Sequence, residues 1–249
     1  MTAWLAHIFR HPIKGHGREE LASVVLSAGA SLPFDRHWAV AHAAARLRDE
    51  GEWVPCTNFA RGAKVPGLMA MTAALDEGNR RVTLRHPDLG THVLSPDDPA
   101  ALPGFLDWAG PLTPPDRPAP THIVRGDVAL TDSPWQSVSI LSLATNRALG
   151  AAMGRDLSIH RWRGNLWVQG AEPFAEFGLI GQEIAIGPVR LLVKERITRC
   201  AATTVNPETG QVDADTLGAL QTGWGHQDFG VYASVIAGGT IRQGDEVRL

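Results

Sequence analysis

The sequence predicts a mainly β (α+β) fold, built as two barrel-like halves with a few short helices. Three observations carry this reading. The apolar segments are short and bounded by Gly, Pro, Asn or Asp, a strand signal more than a helix signal. With 26 Gly and 17 Pro in 249 residues, the chain has turn formers enough to join many short elements. A proline-crowded stretch at 95–120 parts the sequence into 1–120 and 121–249. Many short strands must hide their edges, and closure into barrels does that.

Taken in order, residues 3–9 read as a first strand, ended by His11-Pro12. Residues 21–26 are a second, ended by Ser27-Ala28-Gly29, and 36–42 a third. Strands at 68–75, 81–85 and 91–94 follow, the first two joined by Asp76-Glu77-Gly78-Asn79. Between the prolines, 99–108 suits one short helix with Leu102, Phe105, Leu106 and Ala109 inward. The stretch from Pro111 to Pro120 cannot carry a regular ladder, because proline lacks the donor. A strand at 121–125 opens the second half. Residues 142–153 are rich in helix formers, with Ser142 as N-cap and Gly154 as stop. Residues 165–168 form a short strand. Residues 182–186 and 189–196 read as a hairpin around Gly187-Pro188, and strands at 231–237 and 245–249 close the chain.

Composition excludes several classes. Lys and Arg total 23 against 26 Asp and Glu, so the net charge of −3 argues against a nucleic-acid-binding basic face. Two cysteines are too few for a disulfide scaffold or a cysteine-ligated iron–sulfur cluster, which takes about four thiolates. No apolar run approaches the ~20 residues that span a bilayer. The first ten residues do not read as a signal peptide, so a cytoplasmic protein without a membrane span is expected.

Cys200 is the first candidate for chemistry. It follows a predicted strand and has Arg196 and Arg199 beside it, and positive charge favours the thiolate that attacks or ligates a metal. The alternative is an inert, half-buried strand cysteine. Cys56 has no cation nearer than Arg61 and reads as inert. The histidines show no metal-ligand spacing, and no phosphate loop, dinucleotide fingerprint or nucleophile elbow is present. Lys14, Arg36 and Arg163 stand at strand ends. Singly they are solvated charges; together they could line a cleft for an anion, with arginine suited to bidentate phosphate contacts.

The order of motifs then resembles a known family. Arg163-Gly164-Asn165-Leu166, Gly181-Gln182, Thr198-Arg199-Cys200, Thr203-Thr204-Val205, Asn206-Pro207-Glu208-Thr209-Gly210, Phe229-Gly230-Val231-Tyr232 and the run from Gly239 to Asp245 are similar to the MOSC domain, the C-terminal type of molybdenum cofactor sulfurase. His11-Pro12-Ile13-Lys14-Gly15, Asp35-Arg36-His37-Trp38 and Thr131-Asp132-Ser133-Pro134 resemble segments that accompany it. The resemblance implies an N-terminal MOSC β-barrel domain at 1–120 and the MOSC domain at 121–249. It implies binding of the molybdenum cofactor in its molybdopterin form, with no iron–sulfur cluster and no haem.

By the same resemblance, Cys200 is the catalytic residue and the molybdenum ligand. Lys14, Arg36 and Arg163 meet the cofactor phosphate, and Asp132, Ser133, Asn165 and Thr203 bond the pterin or oxo groups. Relatives resembling amidoxime-reducing components imply an oxidoreductase that reduces small N-hydroxylated substrates. Some bacterial relatives continue into a ferredoxin-like domain; here electrons are expected from a separate ferredoxin- or flavin-type reductase. A non-catalytic cofactor carrier, or a sulfur carrier with a Cys200 persulfide, is the alternative.

Overall fold

The computed structural model describes residues 3–47 and 51–248. The first half contributes β1 (Ala3–Arg10), β2 (Ile13–Lys14), β3 (Glu19–Leu21), β4 (Ser23–Leu26) and β5 (Trp38–His42). A meander of β6 (Thr72–Asp76), β7 (Arg81–His86) and β8 (Gly90–Leu94) follows, then α1 (Leu102–Ala109) and β9 (Pro120–Arg125). Next come β10 (Val138–Ser142), α2 (Leu143–Ala152), β11 (Leu166–Gln169), β12 (Glu183–Ile186) and β13 (Val189–Thr198). The last elements are α3 (Thr216–Trp224), β14 (Asp228–Ala237), β15 (Gly239–Arg242) and β16 (Glu246–Arg248).

The fold is mostly β, and its centre is a closed barrel. The ring runs β11-β10-β14-β13-β12-β16-β1 and closes through pairing of β1 with β11. Only β10–β11 is parallel within that ring. Closure leaves no exposed edge in the ring, which is the physical return on so many short strands. Alternate residues point inward: Leu191 and Val193 of β13 meet Val231, Ala233 and Val235 of β14, with Leu5 and Ile8 of β1 in the same core.

A second core lies under the sheet β2-β5-β9 and the β6-β7-β8 meander, where Ile13, Trp38, Val82 and Leu84 pack with Phe105 of α1. The 120/121 division and the strand pairing do not coincide. β1 closes the ring, while β9 pairs with β5 of the first-half sheet. The two halves are therefore stitched by β1, which closes the ring, and by β4, which pairs with β15.

Local departures from expectation have physical causes. The strand read at 21–26 is two strands broken at Ala22, because β3 pairs with β1 and β4 with β15. The strand read from residue 36 starts at Trp38, since Arg36 takes a left-handed conformation at φ 51. The strand read from 68 starts at Thr72, because Pro66–Ala70 winds into a 3-10 turn. The helix after the prolines forms, with Phe105 and Ala109 buried. Helix α2 also forms, and the Ser142 hydroxyl accepts from the Thr145 amide at 3.3 Å as its cap. Its Leu149 packs against Trp162, Trp167 and Phe229. The final expected strand is β16; Leu249 lies outside the described residues.

Candidate functional site

Between the barrel and the first-half sheet lies a cavity of about 340 Å³. Seven basic side chains and two acidic ones line it, in a chain whose net charge is −3. Both cysteines line it as well. A larger cleft of about 660 Å³ on the first-half side holds Glu52, Asp97, Asp98 and Asp127 and no cysteine, so the chemistry concentrates in the smaller cavity.

Lys14 enters from β2, which pairs parallel to β5. Its ammonium donates to Leu130 O at 2.7 Å and to Asp132 Oδ1 at 2.6 Å. Burial lowers the Lys14 pKa, with Asp132 pulling the other way. Burial would raise the Asp132 carboxyl, but Lys14 and Arg36 hold it below the usual range. Gly15 follows at φ 78, where a Cβ would stand 2.5 Å from Ala60 O; only glycine lets the 60–63 loop close against the lysine.

Arg36 and Arg163 are both in left-handed conformations, at φ 51 and φ 48. Such residues each cost on the order of 1–3 kcal/mol and persist only where the surroundings over-determine them. The surroundings here do. The buried Asp35 carboxylate pairs with Arg36 and accepts from the His11 amide at 2.8 Å. Arg36 Nη2 donates to the Arg163 carbonyl at 2.8 Å, tying the two arginines together. Arg163 Nη1 donates to Gly17 O at 3.1 Å, while its Nη2 is buried with no partner. Burial, then the nearby Arg36 charge, lower the Arg163 pKa to about 9.

Cys200 sits two residues past the end of β13, at the start of the 3-10 turn Ala201–Thr204, and its side chain is exposed. Thr203 is buried and holds that turn. Its hydroxyl lies 2.8 Å from Thr216 Oγ1 of α3 and donates to Cys200 O at 3.1 Å. Asn165 is a clamp as well. Its Oδ1 accepts from Ser139 Oγ at 2.8 Å, and its Nδ2 donates to Phe9 O at 3.2 Å. Ser133 is the one expected residue that does not line the cavity; its hydroxyl is buried behind the wall, 2.7 Å from Ser137 Oγ. So Lys14, Arg36, Asp132, Arg163, Asn165, Cys200 and Thr203 converge, with Asn165 and Thr203 holding the walls.

Several cavity residues were not singled out from the sequence. Arg161 is buried, and its Nη2 donates to Asp213 Oδ1 at 2.7 Å, yet its Nε and Nη1 have no partner. Arg199 donates to the carbonyls of Phe229 and Trp162, above a Trp162–Phe229 stack with centroids 3.8 Å apart. Burial lowers the Arg199 pKa to about 10. Tyr232 enters from β14, and burial with the Asp132 charge pushes its phenol up to about 12, so it keeps its proton. Cys56, read as inert for want of a neighbouring cation, has Arg61 Nη1 3.0 Å from its sulfur. The local signals were the i, i+2 spacing in Arg161-Trp162-Arg163 and the adjacency of Arg199 to Cys200.

Unpartnered buried guanidinium nitrogens are costly unless something polar meets them. Those of Arg161 and Arg163, in a pocket with Lys14 and Arg36, ask for an oxyanion with several acceptor atoms. The exposed thiol adds a soft donor for a transition metal at the same cavity. Among the described residues, no cluster of three or more His, Cys, Asp or Glu could hold a metal alone, so a metal here would arrive with other ligands.

Fold and site thus define a β-barrel protein with an oxyanion cradle beside an accessible thiol. Residues 127–248 match the MOSC domain family, so this stretch of the chain is a MOSC domain. That family is associated with molybdenum cofactor binding. The fold is similar to a crystal structure of the YuaD protein from Bacillus subtilis, at 14% identity over 99% of this chain and 94% of that one, with a TM-score of 0.49. YiiM from Geobacillus stearothermophilus shares 17% identity over 45% of this chain and 53% of its own, with a TM-score of 0.36. No curated protein matches this sequence. No helix among the described residues is long and apolar enough to cross a membrane.

Proposed function

We propose that this chain binds the molybdopterin form of the molybdenum cofactor in the 340 Å³ cavity and reduces N–O bonds of small N-hydroxylated substrates. The observation that carries this reading is the pairing of orphaned guanidinium nitrogens on Arg161 and Arg163 with an exposed Cys200 in one cavity. The residues present fit the group: cationic donors for a phosphate, and a thiolate for a soft metal. When bound, the cofactor supplies a two-electron redox centre able to take an oxygen atom from an N–O substrate.

The chain's own residues bind, orient and hold protons. Lys14, Arg36, Arg161 and Arg163 hold the phosphate, with Asp35 and Asp213 keeping Arg36 and Arg161 in place. Cys200 offers its sulfur to the metal from a turn fixed by Thr203. Arg199 lies just under that turn, spanning the Trp162 and Phe229 carbonyls. The Tyr232 phenol, still protonated far above neutral pH, lines the cavity as a donor for a bound oxyanion. Electrons come from a separate ferredoxin- or flavin-type protein. The test is elemental analysis with an amidoxime assay driven by a chemical reductant. Molybdenum near one per chain with turnover supports the enzyme; molybdenum without turnover supports a cofactor carrier.

A further inference from the structure

The second cysteine is the feature that the proposed function leaves unused. Cys56 lies on the 3-10 turn Cys56–Asn58 of the first half, and Cys200 on the turn after β13 in the barrel half. Both side chains open into the same cavity. The loops that carry them touch. A Cβ on Gly62 would stand 3.6 Å from the Ala202 Cβ, in ordinary contact, and Arg61 beside that glycine reaches back to the Cys56 sulfur at 3.0 Å.

We propose that Cys56 is the resolving thiol for Cys200, closing a disulfide across the cavity when hydrogen peroxide oxidises the cofactor-free protein. The Cys200 thiolate attacks the peroxide, the O–O bond breaks and water leaves, giving a sulfenic acid. The Cys56 sulfur then attacks the Cys200 sulfur, the S–O bond breaks, and a second water carries off the Cys56 proton. Two thiols lose two electrons in total, and one peroxide gains them.

The two residues differ as this order requires. Cys200 is exposed and meets the oxidant first, whereas Cys56 is half-buried, and burial with Asp132 raises its pKa. A bridge needs the two Cα atoms within about 7 Å. The loop that follows the Cys56 turn packs on the Cys200 turn at Gly62 and Ala202, so the span to be closed is bounded by loops rather than by core strands. The bridge withholds from a metal the sulfur that the proposed function assigns to it, and thiol reductants return that sulfur. The inference rests on that reading only for this consequence; the bond itself needs no metal.

The experiment treats the cofactor-free full chain with hydrogen peroxide and reads free thiols and intact mass. The expected result is a fall from two free thiols to none, a monomer lighter by two hydrogens, and full recovery with dithiothreitol. Cys56→Ser is expected to accumulate a Cys200 sulfenic acid that dimedone traps, an adduct absent from the oxidised wild type. Oxygen added at Cys200 of the wild type while Cys56 remains alkylatable would overturn the proposal, as would disulfide-linked dimers alone. Because no metal takes part, this failure would leave molybdenum binding untouched, and a lack of molybdenum would leave the disulfide standing.

Discussion

Acidification to pH 5 is expected to remove a large part of the folding stability through two buried histidines beside the cradle. Burial, then Arg163 and Arg36, push His11 down from 6.5 to about 3. Burial pushes His16 down to about 4, against a raising hydrogen bond to the Lys14 carbonyl. Between those values and 6.5 the unfolded chain binds more protons than the folded one, so stability rises with pH and is lost as pH falls. At pH 5 each imidazole costs about 2 kcal/mol, and the pair about 4 kcal/mol relative to pH 7.5. That is comparable with the whole stability of a domain, roughly 5–15 kcal/mol. Asp35 and Asp132 do not add to this window. Their carboxyls are held below the ordinary range, so their contribution is lost only at lower pH. Glu176, raised by burial, works in the opposite sense. Urea unfolding at both pH values measures the difference, to which the half-buried His160, pushed down to about 4, adds in the same sense, and His16→Gln should lower it by about 2 kcal/mol. Equal unfolding free energies at pH 7.5 and pH 5 would refute the buried-neutral assignment.

Three further outcomes follow from the site. Cys200→Ser should abolish amidoxime turnover while the thermal midpoint stays within a few degrees of wild type, because the side chain is exposed and a hydroxyl does not ionise near neutral pH. Arg161→Ala and Arg163→Ala should each speed cofactor loss on dilution more than they change the turnover of molybdenum-loaded protein, as read by pterin fluorescence in the flow-through. Asn165→Ala should cost about 3 kcal/mol in urea unfolding, since it strips partners from Ser139 and from the Phe9 carbonyl inside the barrel wall.

The sequence carried the fold where local chemistry set it. The hairpin β12–β13 turns at Gly187, left-handed at φ 52 and with Asp245 Oδ2 2.9 Å from where a Cβ would stand, and Ser142 caps α2 through its own hydroxyl. It did not carry β10, whose five residues are all buried, so no alternation marks it as a strand. Nor did it mark α3, whose Gly218 and Gly223 break the helical pattern, or β15, which exists as the partner of β4. The site divides the same way. Cys200 and the strand-end cations were legible because charge clusters in sequence near them. The closeness of Arg161 and Arg199 to the cavity comes from the Asp213 pair and the Trp162–Phe229 stack, which join segments far apart in the chain. Cys56 gains its cation from a turn that places Arg61 over the sulfur, which spacing alone does not describe.

The central claim is that the guanidinium cradle and Cys200 hold one molybdenum cofactor. Protein produced in a host that makes molybdopterin, purified without added metal, can be assayed for molybdenum and for organic phosphate released on denaturation. About one of each per chain is expected, with molybdenum falling in Cys200→Ser while phosphate is retained, and both falling in the Arg161→Ala, Arg163→Ala double variant. Protein that is folded yet carries neither molybdenum nor pterin phosphate would contradict the account.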